Sequence, residues 1–134
     1  MEKETLKKIF EFLEENGEHN APLMWKLQNN IPITEDDLIV NGDLNLTKTD
    51  IESLPDGLKV ENNLSLYGCK NIQSLPKGLE VGEDLDLGHS NITSLPKGLK
   101  VGGNLYLNYT PLTKYSNEEL RQMVNPGYIN RIII

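Results

Sequence analysis

The sequence predicts an α/β solenoid of about four coils, each of roughly twenty residues, that stack their strands into one parallel β-sheet. Three observations predict it. The pattern Leu-Pro-x-Gly-Leu-x-Val recurs at 54–60, 75–81 and 95–101. Each copy is followed by Leu-x-Leu, at Leu64/Leu66, Leu85/Leu87 and Leu105/Leu107, and an earlier pair, Leu44/Leu46, follows Leu38-Ile39-Val40 at the same offset. Pro55, Pro76 and Pro96 are 21 and 20 residues apart, so the repeat length is nearly constant.

The elements follow in chain order within one domain, 1–134, with a helical cap at 1–37, repeats at 38–115 and a second cap at 116–134. Leu6, Ile9, Phe10 and Leu13 keep the i, i+3, i+4, i+7 spacing of an amphipathic helix, which Gly17 ends. A short second helix is expected after Asn20 as N-cap, with Pro22 in its first turn. It carries Met24 and Trp25, which either cover the first coil or belong to a binding patch, since an exposed Trp is a common interface anchor.

Within a repeat, the period of two in Leu-x-Leu turns both leucines inward and the middle residue outward, as in a strand. Proline fixes φ and lacks an N–H, so the Leu-Pro corner is extended. The glycine two residues later permits a positive-φ turn. Leu-x-Val then sends two more apolar groups inward as a candidate second short strand. Turn residues follow, among them Asn41-Gly42-Asp43 and Gly102-Gly103-Asn104. A further apolar position recurs as Ile51, Ile72, Ile92 and Leu112, and the one extra residue falls within 67–71. No coil can bury its leucines alone, so the leucines are read as scaffold and function is sought on the outward positions.

At the back, Ser116-Asn117-Glu118-Glu119 reads as a capping box. It opens a helix with Leu120, Met123 and Val124 facing inward, stopped by Asn125-Pro126-Gly127. Residues 128–134 then form a strand closing the last coil. The apolar Ile132-Ile133-Ile134 is expected to be mostly covered and is otherwise a candidate homodimer edge.

These motifs resemble leucine-rich repeat proteins of the short bacterial type, which carry Leu-Pro on the convex side and include secreted bacterial effectors. The Leu-Pro-x-Gly-Leu-x-Val variant is also similar to small repeat proteins of bacterial and phage genomes. The resemblance covers 38–115. It implies a partner-binding scaffold, with an inhibitor of a host enzyme or defence system as one such role. The family usually places Asn after the strand to bond between coils; here that place holds Thr49, Ser90 and Thr110, with Cys69 or Lys70 in the longer copy, and hydroxyls are expected to replace part of the ladder.

Composition narrows the partner. The formal net charge is −7, with 20 acidic and 13 basic side chains, which disfavours direct binding of nucleic acid or an anionic membrane. A protein with a basic surface is the better match. Mean hydropathy is −0.43, no apolar run is long enough to span a membrane, and the charged start has no signal core. With one cysteine and no intrachain disulfide, a cytoplasmic location is expected.

Chemistry finds few residues. His19, His89 and Cys69 are the only histidines and cysteine, and none has zinc-site spacing. Cys69 and His89 stand 20 residues apart, which makes them candidate neighbours on adjacent coils. The simpler reading is a surface histidine beside a semi-buried cysteine. Asp43, Asp84 and Asp86 lack the repeated acidic ligand set of a calcium site. No enzyme, cofactor or metal is expected.

The outward ladder is therefore the candidate site. Its first column is Asp43, Asn63, Asp84 and Asn104; its second is Asn45, Ser65, Asp86 and Tyr106; its third is Thr47, Tyr67, Gly88 and Asn108, with His89 and Tyr109 just beyond. From these, Asp43, Asn45, Tyr67, Asp84, Asp86, His89, Tyr106, Asn108 and Tyr109 are the candidate partner-binding residues, together with Trp25. Tyrosines on a polar face favour protein recognition. Lys59, Lys77, Lys97 and Lys100, set against Asp56 and Glu80, are read as the solvated back. Two alternatives stand beside this reading: an acidic mimic occupying the nucleic-acid channel of an enzyme, and a self-assembling structural protein.

Overall fold

The computed structural model describes residues 35–134 of the chain. A parallel β-sheet winds as a solenoid of about three turns, with a single α-helix among the described residues. A 3-10 turn, Glu35–Leu38, leads into β1 (Ile39–Val40) and β2 (Leu44–Asn45). The next two turns supply β3 (Lys59–Val60) with β4 (Leu64–Ser65), and β5 (Glu80–Val81) with β6 (Leu85–Asp86). In the following turn the two short strands fuse into β7 (Lys100–Tyr106). A 3-10 turn at Pro111–Lys114, helix α1 (Asn117–Val124) and β8 (Tyr128–Ile133) complete the chain.

Both predicted strand segments are present, and each stacks on its own kind. The strands β1, β3, β5 and β7 pair in register through Val40, Val60, Val81 and Val101. The strands β2, β4, β6 and β7 pair through Leu44, Leu64, Leu85 and Leu105, and β8 runs parallel to both ends of β7, with a register shift between Val101 and Asn104. Every one of these inward residues is buried, as are Ile51, Ile72, Ile92 and Leu112. The turns between segments use the expected glycines: φ is +83° at Gly57, +75° at Gly78 and +85° at Gly98, a region that L side chains rarely adopt. At Gly82 the requirement is space instead, because an added Cβ would lie 1.9 Å from the Glu61 carbonyl oxygen of the preceding turn.

The longer repeat is resolved by hydrogen bonding. The Cys69 N–H closes on Leu66 O as the Thr49 N–H closes on Leu46 O, so Cys69 takes the Thr49 place and the extra residue falls in Lys70-Asn71. The expectation for this column holds in part. The hydroxyls of Thr49, Ser90 and Thr110 donate within their own turn, to Leu46 O (2.9 Å), Leu87 O (2.6 Å) and Leu107 O (2.8 Å). Three-residue closure brings each hydroxyl beside its own carbonyl first. The bond between turns here runs through Thr49 and Cys69: Thr49 Oγ1 lies 3.7 Å from Cys69 Sγ, and Cys69 Sγ reaches back to Leu46 O at 2.9 Å.

The C-terminal part follows the sequence reading closely. Ser116 caps α1 with both halves of the capping box in place, and Leu120 and Val124 are buried with Met123 packed beside them. Ile132 is buried, Ile133 is half-buried and Ile134 remains 50% exposed, so the terminal isoleucines are covered only in part. The Arg121 guanidinium donates to Ile129 O and to Asn130 O (3.2 Å). In earlier turns the carbonyls in register with Ile129 take backbone donors: Val40 O accepts from Glu61 N–H and Val60 O from Gly82 N–H, both at 2.9 Å. Arg121 thus stands where a following turn would otherwise donate. No helix among the described residues is long and apolar enough to cross a membrane. The two N-terminal helices read from the sequence, with Met24 and Trp25, lie outside the described residues.

Candidate functional site: the strand face and its aromatic stack

The outward columns beside β2, β4, β6 and β7 are not equally available to a partner. The first column is spent on holding the turns together. Asp43 Oδ1 accepts from Asn63 N–H (2.9 Å) and Nδ2 (3.1 Å), Asn63 Oδ1 accepts from Asp84 N–H (2.9 Å), and Asp84 Oδ1 accepts from Asn104 N–H (2.8 Å). This continuous Asx ladder gives each turn's strand entry a side-chain acceptor from the turn before. Asp43 and Asp84, read from the sequence as partner-binding candidates, therefore each commit one carboxylate oxygen to the scaffold.

The second column closes local turns. Asn45 Oδ1 accepts from Thr47 N–H (3.1 Å) and Thr47 Oγ1 (2.6 Å), Ser65 Oγ from Tyr67 N–H (3.4 Å), and Asp86 Oδ1 from Gly88 N–H (2.9 Å). Tyr106, which follows in register after Asp86, breaks the pattern: its hydroxyl accepts instead from Asn104 Nδ2 at 3.1 Å.

Beyond these columns lies an aromatic stack. The rings of Tyr67 and His89 have centroids 5.0 Å apart, and those of His89 and Tyr109 are stacked at 4.5 Å with 29° between planes. One ring comes from each of three successive turns. Tyr67 lies over Gly88, where an added Cβ would meet its ring at 3.0 Å. His89 and Tyr109 sit at a corner that recurs along the solenoid: φ is +57° at Lys48, +71° at Gly68, +56° at His89 and +58° at Tyr109. This left-handed conformation costs a residue with a Cβ roughly 1–2 kcal/mol, so the stack is held by a backbone that a flexible loop would not adopt. Tyr109 is 79% exposed, while Tyr67, His89, Tyr106 and Asn108 are half-buried. The constant offset of this corner from Leu-x-Leu was the sequence signal for His89 and Tyr109, with Lys48 and Gly68 at the same place; it gave no sign that Tyr67, one residue nearer its Leu-x-Leu, joins them.

His89 does not pair with Cys69. It aligns with Gly68, while Cys69 is buried and bonded to Leu46 O. Lys70 Nζ donates to the His89 carbonyl, anchoring that corner from the longer turn. Among the described residues, no group of three His, Cys, Asp or Glu side chains is arranged to hold a metal ion.

The other outward corner differs in character. Lys59 Nζ and Lys100 Nζ flank Glu80 at 3.1 and 3.5 Å, forming a ladder across β3, β5 and β7. The hydrogen bond from Lys59 and the charges of both lysines hold the Glu80 carboxyl below the usual carboxylate range, against a smaller opposing effect of burial. An open groove of about 510 Å³ runs along this corner between the exposed Ile39 and Tyr128. Lys59 and Lys100, read from the sequence as solvated and set against Glu80, are exposed and paired with it, on the short strands β3 and β7.

No protein-family model matches the chain, and no curated protein or solved structure matches it either.

Proposed function

We propose that the chain is a leucine-rich repeat protein of four copies, capped at both ends, that binds another protein through its strand face and does no catalysis of its own. The observation that carries this reading is the Tyr67–His89–Tyr109 stack, an aromatic surface assembled from three turns, half-buried at Tyr67 and His89 and exposed at Tyr109. Tyrosines supply large contact area at little cost in side-chain ordering, which suits recognition of a protein surface. The net charge of −7 favours a partner with a basic surface. A phage-type inhibitor of a host enzyme or defence factor fits the repeat variant, and that role rests on resemblance alone.

The non-catalytic reading is supported by the state of the reactive side chains. Cys69 is buried and His89 is enclosed between two phenol rings. The acidic-mimic alternative has less support, since Asp43 and Asp84 alternate with Asn63 and Asn104 and give no continuous row of carboxylates.

The test is affinity capture from the native host with wild-type protein and with the triple variant Tyr67→Ala, Tyr106→Ala, Asp86→Asn. The asparagine retains the acceptor for Gly88 N–H, so the turn is kept. Capture of a defined partner by the wild type, reduced at least tenfold in a variant of unchanged unfolding midpoint, is expected. Equal capture by both proteins refutes the strand-face assignment.

A further inference from the structure

We propose that the open face of Tyr109 is a binding site for an arginine side chain of a basic protein segment, seated as the next layer of the Tyr67–His89–Tyr109 stack. The inference rests on the strand-face reading and names what that face recognises.

One side-chain oxygen on each of Asp43, Asn63, Asp84, Asn45 and Asp86 already accepts a hydrogen bond within the scaffold. The stack is the aromatic part of the same face, and it ends in an exposed ring. Its inner layers cover each other: His89 has Tyr67 on one side at 5.0 Å and Tyr109 on the other at 4.5 Å. Tyr109 has His89 on one side only and is 79% exposed. Its backbone sits at φ +58° and its ring stacks on His89, so its other face is turned away from the stack. The layer spacing suits another planar group at about the same separation.

Charge selects among planar groups. Asp43, Asp84 and Asp86 are the charged members of the first two outward columns, and the whole chain carries −7. Of the cations near the stack, Lys48 packs over Gly68 at its opposite end, and Lys70 is committed to the His89 carbonyl. The phenol face attracts a cation through its ring quadrupole, and guanidinium adds flat stacking that an ammonium lacks. A nucleobase would stack equally well but would bring a phosphate against an acidic face. The proposal is therefore for arginine within a protein.

The experiment measures binding of octa-arginine and octa-lysine peptides by fluorescence anisotropy at low salt. Attraction by net charge treats the two alike, whereas flat stacking on Tyr109 adds a preference for octa-arginine of about twofold, up to the roughly fivefold that a whole exposed cation–π contact supplies. Tyr109→Ala should erase the preference and Tyr109→Phe should keep it, with both variants checked for an unchanged unfolding midpoint. Equal binding of the two peptides to wild type, or a preference that survives Tyr109→Ala, overturns the proposal. Tighter binding of adenosine monophosphate than of octa-arginine overturns it too. Failure here, with partner capture still lost in the triple variant, removes only the arginine assignment.

Discussion

Asn63 ties three turns through one side chain, accepting from Asp84 N–H and donating to Asp43. Asn63→Ala removes both bonds and leaves a half-buried backbone donor without its acceptor. It should lower stability by about 1–2 kcal/mol in urea unfolding, and loss below a few tenths would show that the ladder is incidental. Glu80 sets a pH dependence of known sign. Its folded-state carboxyl titrates below the ordinary value of 4.5, so its contribution is present above that value and is lost as pH falls through the folded one. Its lysine partners are largely exposed, and such pairs are worth about 0.2–1 kcal/mol. The stability difference between wild type and Glu80→Gln should shrink from neutral pH toward acid; a difference that grows would contradict the pairing. The sequence placed Asp43, Asn63, Asp84 and Asn104 in one column from their offset alone. What it did not reveal was their occupation, because an outward Asx looks the same whether its oxygen meets solvent or a backbone N–H one turn away. For the same reason the sequence could not tell that, of Thr49, Ser90 and Thr110, Thr49 meets a neighbouring turn, at Cys69, while all three donate inside their own turns.

The elements that could be read were those with local rules. The capping box at Ser116, the apolar face of α1 and the strand after Gly127 all follow from adjacent residues and appear where expected. Fusion of two short strands into β7 was not legible, since it depends on how β8 lies along the last turn. Arg121 also escaped notice. On a helix it is one exposed cation among others, and only the register of β8 brings Ile129 O and Asn130 O within its reach. The fork covers part of an edge that otherwise templates further pairing. Arg121→Ala should cost about 1 kcal/mol and make sedimentation concentration-dependent as the uncovered edge meets a second copy. A variant that stays monomeric at every concentration, with unchanged stability, would show that the edge needs no guard. Of Ile132-Ile133-Ile134, which the sequence reading expected to be mostly covered, Ile132 is buried and Ile134 stays half exposed.

At the scale of the molecule, a repeat of 20–21 residues made the solenoid legible because stacking turns the same few offsets into columns of Val, Leu and Ile. That regularity also marks its own exceptions, and the functional proposal lies in one of them. Tyr67, His89 and Tyr109 occupy different offsets or neighbouring corners, yet their rings form one stack. Side-chain direction at a left-handed corner decided this, and residue spacing does not encode it. Trp25 and the two helices expected from the sequence ahead of residue 35 lie outside the described residues, so the face argued for is built from the repeats alone. Hydrogen–deuterium exchange on the wild-type protein, free and with its captured partner, tests the central claim most directly. New protection concentrated at 65–68, 86–89 and 106–109 is the predicted result. Protection confined to the Lys59–Glu80–Lys100 corner, with those segments unchanged, would contradict it.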